Sequence, residues 1–334
     1  MFHRLGHGPL LTRHDVPDVP GVAVDVSSVF NPGALRVGAV SVLMCRVQTR
    51  GRRTLTWLAT NPDGLGFSFQ PRPVTFRGLE GLVDPVDGRP LAVHHVYDAR
   101  VTATGFGRLV VTALDTDRGC RLAVWSPAGP DDVCCVGLSQ LSLVALTGGE
   151  DTRNGVLFPG LVGGRVLMLD RPNTARPAGG PPTGAGVRLL ASDDLQNWED
   201  LGPVFGGRPH YWDELVGAGP PPVLTEQGWL LIYHGVATHF QAANIYQAGA
   251  VLLDRDDPTK VLARTDENLL EPREEWEMVG QVPNVVFPSG LIVDGVADGE
   301  PAGPAATLQL YYGAADTCIG RATATVGEVL AACS

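Results

Sequence analysis

Several common signals are missing from this chain of 334 residues. No run of eighteen or more apolar residues occurs, so the sequence offers no membrane-crossing helix and no membrane partner is expected. Met1-Phe2-His3-Arg4-Leu5-Gly6-His7-Gly8 lacks the apolar stretch of a secretory leader. The six cysteines (Cys45, Cys120, Cys134, Cys135, Cys318, Cys333) show no metal-ligand spacing, and adjacent Cys134 and Cys135 are poorly placed to bridge each other. Reduced thiols in a cytoplasmic protein are the expectation. There is no Gly-rich dinucleotide fingerprint, no P-loop and no Gly-x-Ser-x-Gly elbow, so no cofactor is expected. Positive charge is short as well: 25 Lys and Arg against 36 Asp and Glu leave a net charge of −11. That argues against nucleic acid as a partner while allowing a local basic pocket for one anion.

What is present is glycine, proline and repetition. The 42 Gly and 27 Pro are spread along the chain in short turns, and 44% of residues are hydrophobic. This composition reads as many short strands around a large core. Five apolar runs look alike: Val42–Val47, Arg108–Ala113, Arg165–Asp170, Trp229–His234 and Leu308–Gly313. Each is followed by a second strand-like run, at Leu55–Ala59, Arg121–Trp125, Val187–Ala191, Ala248–Leu252 and Gly320–Ala324, and the unit repeats about every 66 residues. Strand and turn repeated five times, without helical periodicity, predict an all-β, five-bladed β-propeller. A β-sandwich or two similar domains are the alternatives. Residues 1–334 are expected to form one domain, with residues 1–30 adding a strand to the last repeat to close the ring.

In a propeller the first strand of each blade starts beside the central channel, so equivalent positions in five blades converge. Here those strands open with Asn31-Pro32-Gly33, Asp98-Ala99-Arg100, Arg153-Asn154-Gly155, Gly217-Ala218-Gly219 and Asn284-Val285-Val286. Amides, a carboxylate and guanidiniums at repeat-related places suit a sugar-like ligand. The second strands add Arg46, Arg171, His234 and Asp316. Arg153, Arg171 and His234 fall in blades three and four, where they would form an anion site, a task for which the arginine fork is well shaped. Each residue also has a plainer reading. Asp98 and Arg100 would serve as a structural ion pair, Arg153 and Arg171 as surface partners of Asp151 and Asp170, His234 as a core histidine, and Asn31, Asn284 and Asp316 as turn formers. Trp57 and Trp198 read as core. His94 and His95 stand near Asp98 without a third ligand, so no metal is expected.

These segments resemble glycoside hydrolase family 130, the inverting β-mannoside phosphorylases and their hydrolase relatives. The matching stretches run from Phe30-Asn31-Pro32-Gly33-Ala34 through Tyr97-Asp98-Ala99-Arg100 and Arg153-Asn154-Gly155-Val156-Leu157-Phe158-Pro159. They continue with Gly228-Trp229-Leu230-Leu231-Ile232-Tyr233-His234-Gly235-Val236, Val282-Pro283-Asn284-Val285-Val286-Phe287-Pro288 and Tyr311-Tyr312-Gly313-Ala314-Ala315-Asp316. The resemblance implies a five-bladed propeller with Asp98 as general acid. It implies phosphate binding by Arg153, Arg171, His234 and Tyr246, and sugar contacts from Asn31, Arg46, Arg100, Asn154 and Asp316. The family's usual Glu-Asp-Pro-Arg is Tyr97-Asp98-Ala99-Arg100 here, so its glutamate and proline are both replaced. An inverting hydrolase needs a second carboxylate to activate water, whereas a phosphorylase needs cations that seat phosphate. One placed carboxylate facing three candidate cations favours phosphorolysis of a β-mannoside, with inorganic phosphate as co-substrate. A β-mannosidase drawing its base from Glu274, Glu275 or Glu277 is the alternative, and a sugar-binding propeller is the non-enzymatic one. Linkage, acceptor and oligomeric state, a homo-oligomer included, are left open.

Overall fold

The computed structural model describes residues 1–62, 66–129, 137–147, 151–173, 184–239, 243–296 and 300–333. Five small antiparallel sheets follow one another along the chain as the blades of a propeller. Blade one is Ser28–Val37, Val40–Gln48, Thr54–Asn61 and Ser68–Phe69. Blade two is Val93–Thr104, Gly107–Thr116, Gly119–Pro127 and Gln140–Leu146, with Thr75–Arg77 added in parallel at its edge. Blade three is Thr152–Leu157, Val166–Pro172, Gly186–Ser192 and Glu199–Gly206. Blade four is Leu215–Ala218, Gly228–Ala237, Ile245–Leu253 and Val261–Arg264, with Val223–Thr225 beside its second strand. Blade five is Val286–Asp294, Thr307–Ala314 and Cys318–Thr325.

The fourth strand of blade five comes from the other end of the chain. His3–Arg4 pairs antiparallel with Ala322 and Thr323. A buried polar cluster fixes this closure. Arg4 donates through Nε and Nη2 to the two carboxylate oxygens of Glu277, at 2.8 and 2.7 Å, and the Tyr312 hydroxyl donates to Glu277 at 2.8 Å. Glu277 is fully buried, so the carboxylate is stable there only because every lone pair finds a donor.

The continuous apolar runs have a simple cause: a middle strand is covered on both faces by neighbouring blades. Val42 and Met44 pack with Val101, Val110 and Trp125 of blade two, while Leu43, Val47 and Trp57 pack with Ile292, Tyr311 and Ile319 of blade five. The same alternation joins blade two to three (Val111 and Leu122 with Met168 and Leu190) and three to four (Val156 and Leu167 with Leu231 and Tyr233). Leu230 and Ile232 with Leu308 and Leu310 join four to five. Each fully buried aliphatic side chain contributes about 1.5–3 kcal/mol, so the blade interfaces carry the stability. Trp57 is buried as expected, its indole donating to the Gln70 carbonyl at 2.7 Å, whereas Trp198 is only half-buried.

Two short helices, Glu275–Met278 and Val326–Ala332, lie outside the strand-and-turn repeat. The second carries a legible start signal in Thr325 and Glu328, which form a capping box. Cys45, Cys120, Cys318 and Cys333 are free thiols, while Cys134 and Cys135 lie outside the described residues. Among the described residues no helix is long and apolar enough to cross a membrane, and no cluster of His, Cys, Asp or Glu is arranged to hold a metal.

Candidate active site

The inner strands of blades one to three share a defect. Pairing with the second strand slips after Phe30, Tyr97 and Arg153, and the next residue in each case takes a positive φ: Asn31 at 46°, Asp98 at 55° and Asn154 at 57°. These are β-bulges, which insert a residue and break the in-out alternation of a strand. Asn and Asp are the side chains that tolerate left-handed backbone most readily. The broken alternation lets two consecutive residues face one space, so Tyr97 with Asp98, and Arg153 with Asn154, line the same cavity. Asn284, φ 60°, holds the matching place ahead of blade five.

Blade four has no polar side chain at this place. Its inner strand has Gly217, and a Cβ there would overlap the His234 ring. The glycine makes room for that imidazole.

The cavity encloses about 400 Å³ and is lined by the inner strands of blades one, two, three and five, with Tyr246 from the third strand of blade four. Eight of the ten residues singled out from the sequence line it: Asn31, Arg46, Asp98, Arg153, Asn154, Arg171, Tyr246 and Asp316. Asp98 is the centre of one half. Its Oδ1 accepts from Asn31 Nδ2 at 3.1 Å and from Arg46 Nη1 at 3.2 Å. Arg46 is held flat between Phe30 and Tyr97, with its guanidinium carbon 4.8 and 4.5 Å from the two ring centres. Asp316 stands nearby; burial pushes its carboxyl up to about 6, with the Asp98 charge adding to the rise and Arg46 opposing it.

The other half is cationic. Arg153 and Arg171 sit opposite each other on paired strands. Neither forms an ion pair among the described residues, and each has a buried Nε without a partner. The plainer sequence reading is excluded there, because Asp170 is taken by Arg188 at 2.8 Å and by the Thr152 hydroxyl, and Asp151 accepts from Asn173 at 3.0 Å and from the Cys120 amide. Burial lowers the affinity of Arg171 for its proton, Tyr246 offsets this in part, and the Arg153 charge adds to the lowering. Burial raises the Tyr246 phenol, leaving it a neutral hydroxyl donor.

Arg100 and His234 lie one layer behind the wall. Arg100 is buried, donates to the Gly219 carbonyl at 2.9 Å and the Asp98 carbonyl at 3.2 Å, and is pulled down to about 10 by burial. It therefore braces the Asp98 bulge against blade four. His234 is wholly buried between Phe287 and Tyr246, with ring centres 4.6 and 6.1 Å away. Burial holds it well below the usual histidine range, assisted by the Arg171 and Arg100 charges, so it is neutral. Both its nitrogens lack a partner.

Cavity residues that the sequence reading left out are Tyr97, Ala113, Asp115, Gly155, Val282, Val285 and Phe287; His95, noted there, lines it too. The strand register contained a signal for two of them. The residue paired with the one just before the bulge is Arg46 in blade one, Ala113 in blade two and Arg171 in blade three. Alanine breaks that series, and Asp115 is the next residue on the same face. The glutamates considered as a hydrolytic base do not line the cavity: Glu277 is locked to Arg4, and Glu274 and Glu275 are exposed.

A family model described as β-1,4-mannooligosaccharide phosphorylase matches residues 138–334. A 1,2-β-oligomannan phosphorylase of Thermoanaerobacter sp. (strain X514) is 34% identical over 81% of this chain and 78% of its own length. The chain belongs to glycoside hydrolase family 130. Within the family, a β-1,4-mannooligosaccharide phosphorylase of Ruminococcus albus is 38% identical over 53% of this chain and 49% of its own. Among solved structures, the β-1,2-mannobiose phosphorylase of Listeria innocua superposes with a TM-score of 0.77 at 23% identity, covering 99% of this chain and 98% of that one. A family 130 structure described among glycoside hydrolases that target β-1,2 mannosidic linkages gives a TM-score of 0.75 at 21% identity, over 98% and 94% of the two chains. The last two likenesses establish the shared propeller.

Proposed function

We propose that this family 130 protein is an inverting β-mannoside phosphorylase. It cleaves the mannosidic bond with inorganic phosphate and releases α-mannose 1-phosphate and a shortened acceptor, in a reversible reaction. The observation that carries this reading is the pair Arg153 and Arg171, two enclosed guanidiniums without a carboxylate partner among the described residues. A buried charge left unpaired is costly, and a phosphate dianion is the partner that removes the cost while accepting forked hydrogen bonds. Tyr246 adds a neutral hydroxyl donor, and His234 backs the site as a neutral imidazole.

On the opposite side Asp98 acts as general acid, oriented by Asn31 and Arg46. It delivers its proton to the glycosidic oxygen through the mannosyl 3-hydroxyl. Phosphate attacks the anomeric carbon from the far face, which inverts the configuration and needs no catalytic base. Asn31, Arg46, Asn154 and Asp316 supply donors and acceptors for the mannosyl hydroxyls.

The test is release of mannose 1-phosphate from β-1,2- and β-1,4-linked mannosides with and without inorganic phosphate. Product that appears only with phosphate supports the reading and names the linkage. Free mannose formed at the same rate in both conditions overturns it, and points to Asp115 or Asp316 as the base of a hydrolase.

A further inference from the structure

The cavity is lopsided, and the lopsidedness falls on blade two. Where blades one, three and four set Arg46, Arg171 and His234 on their second strands, blade two has Ala113, and the cavity extends into the space that a larger side chain would fill. Two polar side chains overlook that recess. His95 and Asp115 pair across the hairpin two rungs outside Tyr97 and Ala113, beyond Val96 and Leu114, and both line the cavity. Neither has a part in holding the fold together: among the described residues Asp115 makes no ion pair or side-chain hydrogen bond, and the buried Nδ1 of His95 has no partner.

Their direction matters. The inner strand of blade two is the longest of the five at 12 residues, and its bulge comes late, so Val93–Tyr97 projects beyond Asp98. Three residues at ~3.3 Å each put His95 about 10 Å outward from Asp98 along the strand, a span that leaves room for a sugar ring and its hydrogen bonds between them. Blade five offers a different surface at the same level. Val282 lies two residues before Asn284 and lines the cavity there. A pyranose has a hydroxyl-bearing edge and an apolar face, and the recess has one wall suited to each.

We propose that His95 and Asp115 form the acceptor subsite, binding the hydroxyls of the sugar that leaves in phosphorolysis and attacks in the reverse direction. The carboxylate of Asp115 accepts from two neighbouring hydroxyls, His95 adds a third contact, and Ala113 supplies the room. The inference rests on the phosphorylase reading for its chemistry, since an acceptor is defined only by that reaction. It makes this pair a determinant of which acceptor is used, separate from the residues that hold mannose or phosphate.

The experiment runs the reaction in reverse, with α-mannose 1-phosphate and glucose, mannose, N-acetylglucosamine or mannobiose, on wild type, Asp115→Asn, Asp115→Ala and His95→Ala. Loss of a hydrogen bond to a charged group predicts an acceptor KM about tenfold higher in the Asp115 variants, with the mannose 1-phosphate KM within about twofold of wild type. His95→Ala changes the ranking of acceptors. Acceptor KM values unchanged in an active variant overturn the proposal, as does a shift confined to mannose 1-phosphate or phosphate. If wild type itself gives no phosphate-dependent turnover, the phosphorylase reading falls. The subsite is then read by saturation-transfer NMR with the same free sugars: signals lost in Asp115→Asn support it, and signals equal to wild type remove it. Asp115→Asn keeps size and shape, and an unchanged melting temperature shows that the comparison concerns binding alone.

Discussion

The protein treats its enclosed arginines in two opposite ways. In the body of the propeller four of them are paired with carboxylates: Arg4 with Glu277, Arg121 with Asp84 at 2.9 Å, Arg188 with Asp170, and Arg264 with Asp213 at 2.5 Å. In the channel Arg153 and Arg171 have no such partner among the described residues. The same guanidinium is a clamp in one place and an unfilled socket in the other. The paired charges are neutralised from within, whereas those of Arg153 and Arg171 are left facing the cavity. The contrast also shows how a chain with a net charge of −11 can present a cationic surface: what matters is the local balance inside the cavity.

Four substitutions test that contrast. The largest effect is expected at Asp98. Asp98→Asn keeps the left-handed backbone comfortable and the cavity shape intact, so the melting temperature holds while kcat falls about a thousandfold. Turnover near wild type would remove Asp98 from the reaction. Next is the clamp. Glu277→Gln leaves Arg4 without its counter-charge at the ring closure and is expected to cost about 3 kcal/mol in urea unfolding, with kcat at low temperature little changed. A stability loss under 1 kcal/mol would mean that the strand pairing closes the ring unaided.

The socket should respond in the reverse sense. Arg171→Met removes an uncompensated charge, so the phosphate KM rises about tenfold while the melting temperature in phosphate-free buffer stays level or rises. Added phosphate should stabilise wild type more than the variant. A variant that melts well below wild type in the absence of phosphate would show that Arg171 is structural after all. The smallest effect is a pH dependence at Asp316. Its folded value of about 6 lies above the ordinary 3.8, so the native state holds the proton more tightly, and the stabilisation this gives at low pH is lost as pH rises from 3.8 through 6. Asp316→Asn should flatten the stability profile in that window relative to wild type. Because His234 titrates low and acts with the opposite sign, only the difference between the two proteins isolates Asp316.

The five-fold repeat was legible because blades pack on both faces and so require near-continuous apolar strands, as in Val42–Val47 and Trp229–His234. The convergence of Asn31, Asp98, Asn154, Arg46 and Asp316 could be read from repeat position alone. What escaped was decided by strand parity and depth. Counting by twos puts Asp98 and Arg100 on one face, but the bulge shifts the count, so Asp98 reaches the cavity with Tyr97 and Arg100 turns to the Gly219 carbonyl. His234 occupies its expected rung, yet Gly217 lets the ring sink behind the wall. Asp115 was hidden by Ala113, since a missing side chain in a series leaves no mark in composition. The short helix at Val326–Ala332 was masked by its length, although Thr325 and Glu328 announced it.

The left-handed bulges have a consequence for how this channel can change. At Asn31, Asp98 and Asn154 the backbone admits cheaply only asparagine, aspartate and glycine. The framework thus writes its chemistry in a three-letter alphabet of amide, acid and blank. Glutamate or lysine there would cost about 1–2 kcal/mol of backbone strain. Exchanging amide for acid between neighbouring blades, however, would move the carboxylate around the ring and leave the architecture untouched. A laboratory search for new specificities is best confined to those three letters on the inner strands, with wider variation reserved for the rung outside them.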